Sequence, residues 1–285
     1  MLAPNSAAER GLAYLDPTRV RPVDPGRSAA THTLNPTDRQ RGPLPFRTAR
    51  QIAEETPDET EWVVPGYLAI GALSEFDGKV KAGGKTTLLT NMARSIVDGG
   101  VFLEQQTQKT AVVYLTEQPP SSFRRALARA GLLDRDDFHV LYWAETRDWP
   151  WPDVVREATV YAESVGAKVM IVDTLPQWAG LQGDSENNSG AALAAVAPLQ
   201  EAAALHNLAV AVVRHERKGS GEVGESARGS SAFAGAVDII VQIKRGEGNS
   251  RPSIRILMSL SRYDETPDEL VIELTEAGYL SLIHI

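Results

Sequence analysis

From Trp62 onward the chain alternates short apolar runs with stretches of helical periodicity, the pattern of a mainly parallel α/β sheet. Leu68 to Phe76 reads as a first strand, followed by a glycine-rich turn from Gly78 to Gly84. Thr86 to Val97 then puts Leu88, Leu89, Met92 and Ile96 on one helical face. Strands are expected at Ala111–Thr116, His139–Trp143, Lys168–Asp173 and Leu208–Val213, with helices at Pro120–Ala130, Trp151–Val165 and Gly190–His206. After Arg245 the pattern becomes hairpin-like: Ile254–Leu260, a turn over Asp264–Asp268, then Leu270–Leu274. Two long stretches without periodicity, Thr174–Ser189 and Glu216–Ser231, both follow strand ends, where long connections usually carry function.

Charge divides the chain unevenly. Its 285 residues hold 29 Lys+Arg and 37 Asp+Glu, a net of −8, yet residues 1–50 hold 8 Arg, no Lys and 4 acids. The remainder is therefore at −12, which excludes a protein that binds nucleic acid by bulk charge and leaves room only for a local basic path. Those first 50 residues also hold 7 of the 17 prolines, so residues 1–45 are expected to be a disordered Arg/Pro-rich leader. A body over residues 46–280 follows, and 281–285 (SLIHI) reads as a truncated or foreign end. Zero cysteines exclude disulfides, thiolate metal sites and cysteine nucleophiles. Neither a membrane span nor a signal peptide is legible, so a cytoplasmic protein without membrane partners is expected.

The strongest chemical signal is GKVKAGGKTT, Gly78 to Thr87, between a strand and a helix. A phosphate-binding turn needs glycines so that successive N–H groups converge, a helix N-terminus behind them, a lysine for the β/γ-phosphates and a hydroxyl for Mg²⁺. Gly78, Lys81, Ala82, Gly83, Gly84, Lys85, Thr86 and Thr87 supply that set, with five residues rather than the usual four between Gly78 and Gly84. Asp173 ends the buried run VMIVD, where an acid can hold the Mg²⁺ water shell beside Thr86. Glu117 follows AVVYLT and is placed to orient an attacking water; as a bare helix-leading acid it would only favour the dipole.

His215 ends LAVAVVRH, where a polar group can sense the γ-phosphate, although a lone histidine there is more often just a satisfied polar residue. The next segment, ERKGSGEVGESARGSSA, carries Arg217, Lys218 and Arg228 among glycines and reads as a basic single-stranded nucleic-acid contact or a solvated loop. Trp143, Trp149 and Trp151 fit core packing and turn anchoring better than stacking on a base.

Taken in order, GKVKAGGKTT, the Glu117 strand, VMIVD, VVRHERKGSG and RGSSAFAGAVDIIVQIKR resemble the RecA-like ATPases of the AAA_25 group. That group is close to RepA-type plasmid replication helicases and more distantly related to DnaB-type helicases. The lead-in EWVVPGYLAIGAL is similar as well, so the resemblance covers residues 46–280. It implies an α/β fold: a RecA-like P-loop core with a mainly parallel sheet, helices on both faces and a C-terminal antiparallel hairpin. It implies ATP and Mg²⁺ as cofactors, hydrolysis at subunit interfaces of a homo-oligomeric ring, commonly a hexamer, and movement on single-stranded DNA beside other replication proteins. Within it Lys85 and Thr86 are the phosphate and Mg²⁺ residues, Glu117 the base, Asp173 the metal acid and His215 the sensor. Arg262 in LSRYDETP stands where such helicases carry an arginine finger, and Arg228 is the competing candidate. Two other functions fit the same residues: a non-unwinding ATPase switch that loads a partner, and a nucleotide-binding module with impaired hydrolysis.

Overall fold

A computed structural model describes residues 44–79, 84–181, 188–215, 231–246, 251–276 and 278–284. The described residues up to Thr56 belong to a unit of their own. Its described part is one short helix, α1 (Ala49–Glu55), opened by a capping box in which Thr48 Oγ1 accepts from Gln51 N–H and Gln51 Oε1 from Thr48 N–H. The expected leader otherwise lies outside the described residues.

The second unit, from Pro57, is built on one nine-stranded sheet. A two-stranded hairpin, β1 (Trp62–Val64) and β2 (Leu68–Ala69), leads into β3 (Leu73–Gly78). The single strand expected over Leu68–Phe76 is thus broken. Gly71, at φ +80°, turns the chain between β2 and β3, and Ala72 N–H closes the turn on Ala69 O. Helix α2 (Lys85–Asp98) follows, then a small ribbon, β4 (Val101–Phe102) and β5 (Gln105–Gln106). Next come β6 (Ala111–Thr116), α3 (Pro120–Ala130), β7 (Phe138–Tyr142) and one 3₁₀ turn at Trp143–Glu145. Helix α4 (Trp151–Ser164), β8 (Ala167–Asp173), α5 (Leu175–Trp178), α6 (Ser189–His206) and β9 (Ala209–Val213) continue the alternation. The chain closes with α7 (Ser231–Ala236), β10 (Ile239–Arg245), β11 (Ile254–Ser261), β12 (Glu269–Thr275) and β13 (Gly278–His284).

Strand order across the sheet is β13-β12-β11-β10-β3-β9-β8-β6-β7. The six strands from β10 to β7 are parallel, and β11, β12 and β13 extend the sheet antiparallel. This is the expected architecture, with two strands beyond the sequence reading. The run IIVQIKR forms β10, the link between the parallel and antiparallel parts, and β13 adds a third strand to the expected hairpin.

Both faces of the parallel region are buried, which is why β6, β8 and β9 read as unbroken apolar runs. One core lies under α2 and α3 and includes Phe76, Leu88, Leu89, Met92, Tyr114 and Phe123. The other lies under α4, α6 and α7 and includes Leu73, Met170, Val196, Val212 and Phe233. Trp151 belongs to this second core and donates its indole N–H to Ala195 O at 2.8 Å, tying α4 to α6. The tryptophan cluster is therefore divided: Trp151 packs, Trp143 is half-buried with Arg147 over its ring, and Trp149 is exposed. Among the described residues no helix is long and apolar enough to cross a membrane.

Candidate nucleotide-hydrolysis site

Gly78 ends β3, Glu117 follows β6, Asp173 ends β8 and His215 follows β9 by two residues, so four parallel neighbours bring their C-terminal ends to one edge of the sheet. Ligands gather at that edge in open α/β sheets. Helix α2 begins there as well, with Gly84 as its N-cap at φ +81° and Lys85 as its first residue. A residue with a Cβ would be strained at that φ, so the glycine is needed where the turn hands over to the helix.

Lys85 is buried, and its ammonium donates to the carbonyls of Gly78 at 2.7 Å and Lys79 at 3.2 Å. The charge is thereby held at the end of β3, where the stretch that the sequence marks for phosphate begins. Thr86 Oγ1 donates to Asp173 Oδ2 at 2.7 Å, and Tyr114 donates to the same oxygen at 2.8 Å. Thr86 also accepts from the Gln118 amide at 3.0 Å. A hydroxyl and a carboxylate within hydrogen-bond contact at a helix N-terminus form an all-oxygen set. That set suits Mg²⁺, which takes one or two protein oxygens and fills its remaining positions with phosphate and water. Thr87 lies one residue further into α2, where its carbonyl accepts from Asn91.

Glu117 is oriented from two sides. Its backbone N–H donates to Asp173 O at 2.9 Å, and its carboxylate accepts from Thr174 Oγ1 at 2.6 Å. The peptide between Asp173 and Thr174 is cis. Burial raises the Glu117 carboxyl above its usual range; the Thr174 hydrogen bond opposes the shift and the Asp173 charge adds to it. Asp173 is raised too, by burial first, against the hydrogen bonds from Thr86 and Tyr114 and the charge of Lys85. A half-buried carboxylate held by a hydroxyl beside a buried lysine can orient and polarise a water.

Two residues beside the turn escaped the sequence reading. A Cβ built on Gly84 would lie 3.5 Å from both Arg255 Nε on β11 and the Tyr279 hydroxyl on β13. Only the register of the antiparallel strands brings these residues, about 170 and 195 positions after Gly84, to the phosphate end, and no local signal announces that. Tyr114, Gln118 and Thr174 were missed for a different reason, since each reads as part of a strand or as a turn residue next to a stronger neighbour.

Arg262 lies elsewhere. It follows Ser261, which pairs with Ile239, which in turn pairs with Ser74. That is four residues, about 13 Å along the strand, from Gly78, towards the opposite end of the sheet. Its guanidinium donates to Asp238 Oδ1 at 3.1 Å and Gly235 O at 3.2 Å and is largely exposed. His215 is half-buried at the site edge. Lys81, Ala82, Gly83, Arg217, Lys218 and Arg228 lie outside the described residues. A separate cavity of about 700 Å³ between β7 and α4, lined by Phe138, His139, Trp149 and Tyr161, contains none of the site residues.

Comparison with known proteins bears on the family and the fold. A family model described as an AAA domain, AAA_25, matches residues 38–221, a span that holds the phosphate turn, Glu117, Asp173 and His215. No curated protein matches the chain. Among solved structures, the crystal structure of the RadB recombinase is similar at a TM-score of 0.55 and 16% identity, covering 76% of this chain and 93% of that one. At that identity the likeness concerns the fold, and it is a RecA-like one. With the family match spanning well over half its length, the chain belongs to the AAA_25 family and carries a RecA-like P-loop ATPase fold.

Proposed function

We propose that the protein hydrolyses ATP as a RecA-like motor on single-stranded DNA, working as a ring of identical subunits in the manner of a RepA-like replication helicase. The observation that carries the hydrolysis is the convergence of Lys85, the Thr86–Asp173 pair and the Thr174-held Glu117 at one sheet edge. In the proposed reaction water attacks the γ-phosphate in line with the departing ADP oxygen. Glu117 orients that water and takes its proton. Lys85 leaves its carbonyl contacts to neutralise charge on the β/γ-phosphates. Mg²⁺, held at Thr86 and by water on Asp173, would supply further charge neutralisation. Arg255 and Tyr279 lie beside Gly84 and are proposed to hold the nucleoside end of ATP. His215 would report the γ-phosphate to the segment bearing Arg217 and Lys218, the proposed DNA contact.

A ring is proposed because Arg262 sits too far along the sheet to act on its own subunit's phosphate turn and is exposed enough to reach a neighbour's. Arg228 remains the alternative finger. The impaired-hydrolysis reading is disfavoured by the intact carboxylate and lysine geometry. A non-unwinding switch would use the same site residues, and the net −8 of the chain does not decide between it and a motor, because copies of one basic segment can converge on a ring's channel.

Steady-state ATP hydrolysis with and without single-stranded DNA, beside Glu117→Gln, tests the reading. The wild type is expected to turn over and to be stimulated by DNA. Glu117→Gln is expected to lose about 100-fold or more in kcat while binding nucleotide normally. Unwinding of a tailed duplex then separates motor from switch. Hydrolysis that survives in Glu117→Gln would remove the assigned base.

A further inference from the structure

The sheet face under α6 and α7 is apolar except at the phosphate end. Leu73 faces that side and Phe76 the other, so Glu75 and Asp77 of β3 lie on the α7 side. Gln242 of β10, paired with Asp77, and Arg214, the residue after β9, share it with Val210, Val212 and Ile240. All four polar side chains are buried.

Arg214 connects three parts of the chain. Its backbone N–H donates to Phe76 O at 3.1 Å, and its Nη1 donates to Glu75 Oε1 at 3.0 Å. Its guanidinium carbon lies 3.8 Å from the centroid of the Phe233 ring on α7. Glu75 and Phe76 belong to the strand that runs directly into Gly78, whose carbonyl receives Lys85. Phe233 belongs to the helix that follows residues 216–230, and Arg214 itself precedes them by two positions. One buried side chain therefore fastens both flanks of that segment to the strand feeding the phosphate turn.

Stability alone gives weak grounds for such an arrangement. A buried ion pair commonly contributes no more than apolar side chains of the same volume would, because desolvation offsets the Coulomb gain. The contact pattern also demands arginine: a flat ion stacked on a ring while its edge donates to a carboxylate cannot be reproduced by a lysine ammonium.

We propose that Arg214 is a positioning residue that couples nucleotide at the phosphate turn to helix α7, through Glu75 on one side and Phe233 on the other. The proposal rests on ATP binding at the turn but does not require hydrolysis. Hydrogen exchange on the full chain, with and without a non-hydrolysable ATP analogue, reads both ends at once. Peptides from the start of α2 report binding, and peptides covering Ser231–Ala236 report coupling.

In the wild type the analogue is expected to slow exchange at both places, by about fivefold or more at α7. Arg214→Lys keeps the charge and loses the flat stack, whereas Phe233→Leu keeps apolar bulk and loses the ring. Both are expected to retain protection at α2 and lose it at α7, with kcat reduced and KM for ATP within about threefold of wild type. The double variant is expected to be no worse than Arg214→Lys alone, because the two act through one contact. Equal protection of α7 in wild type and variants would overturn the proposal, as would protection of α2 without α7 in the wild type. Absence of protection at α2 in the wild type would sink the ATP reading itself and this proposal with it. Nucleotide protection without hydrolysis would sink only the enzymatic reading.

Discussion

At the scale of single residues, the site divides into groups that announce themselves and groups that do not. Lys85 and Thr86 are legible from the glycines that precede them, and Glu117 and Asp173 from being acids at the ends of apolar runs. Tyr114 was not, since an aromatic inside AVVYLT looks like core and indeed is core, with its hydroxyl alone turned to Asp173. Glu75 was invisible for another reason: it sits among polar residues in LSEFDG, and its partner Arg214 is 139 positions away. Burial pushes its carboxyl up to about 7, with Asp77 adding to the shift and Arg214 opposing it by charge and hydrogen bond. The folded protein therefore holds that proton more tightly than the unfolded chain, whose glutamate titrates near 4.5. Stability from this group is fully present below pH 4.5 and is lost as pH rises through about 7, a change on the order of 3 kcal/mol at most. Urea unfolding between pH 5 and 8 should show the decline in the wild type and a flatter profile in Glu75→Gln. Identical slopes in the two proteins would mean that Glu75 does not titrate in this range.

Among the elements, α2, α3, α4, α6 and strands β6, β8 and β9 form within about one residue of where periodicity puts them. Their boundaries are written locally: Gly99 and Gly131 close α2 and α3 in the left-handed conformation, and Asn188 caps α6 by accepting from Ala191 N–H. The misread regions are those where tertiary context overrides pattern. β3 carries Ser74, Glu75 and Asp77 fully buried, so its alternation gave no clean start, and Gly71 severed it from β2. β7 forms one residue earlier than expected because Val112 to Thr116 pair with Phe138 to Tyr142. The antiparallel strands β11 and β13 bring Arg255 and Tyr279 beside Gly84, where they are proposed to hold the nucleoside. Stacking or cation contact with a nucleoside is worth about 1–3 kcal/mol. Tyr279→Ala and Arg255→Ala should therefore each raise KM for ATP about tenfold while kcat stays within about threefold. A fall in kcat at unchanged KM would place both residues in the chemistry instead of the nucleoside pocket.

For the whole molecule, the question is whether one chain is a complete enzyme. Among the described residues, those proposed to act on the phosphates stand at the start of α2 and at the C-terminal ends of the parallel strands beside it, whereas Arg262 lies about four residues back along the sheet. If Arg262 takes part in hydrolysis it must serve a neighbour, and that arrangement has a quantitative signature. Arg262→Ala should fold normally, because the contact it loses to Asp238 is a largely exposed ion pair worth less than about 1 kcal/mol. Its phosphate turn stays intact but its neighbour receives no finger. Lys85→Ala is the reverse, a dead turn on a subunit that still presents Arg262. Each variant alone should be nearly inactive. Mixed one to one in a ring with independent interfaces, half the turns are intact and half of those face a subunit bearing the arginine. Roughly a quarter of wild-type hydrolysis should then return. Specific activity of the wild type should also fall on dilution as subunits separate. Complementation near a quarter would establish catalysis across an interface and assign Arg262 to it. Concentration-dependent activity without complementation would keep the ring and transfer the role to another side chain, Arg228 first. A dilute monomer that hydrolyses at full rate would end the ring model, leaving Arg262 as a surface partner of Asp238.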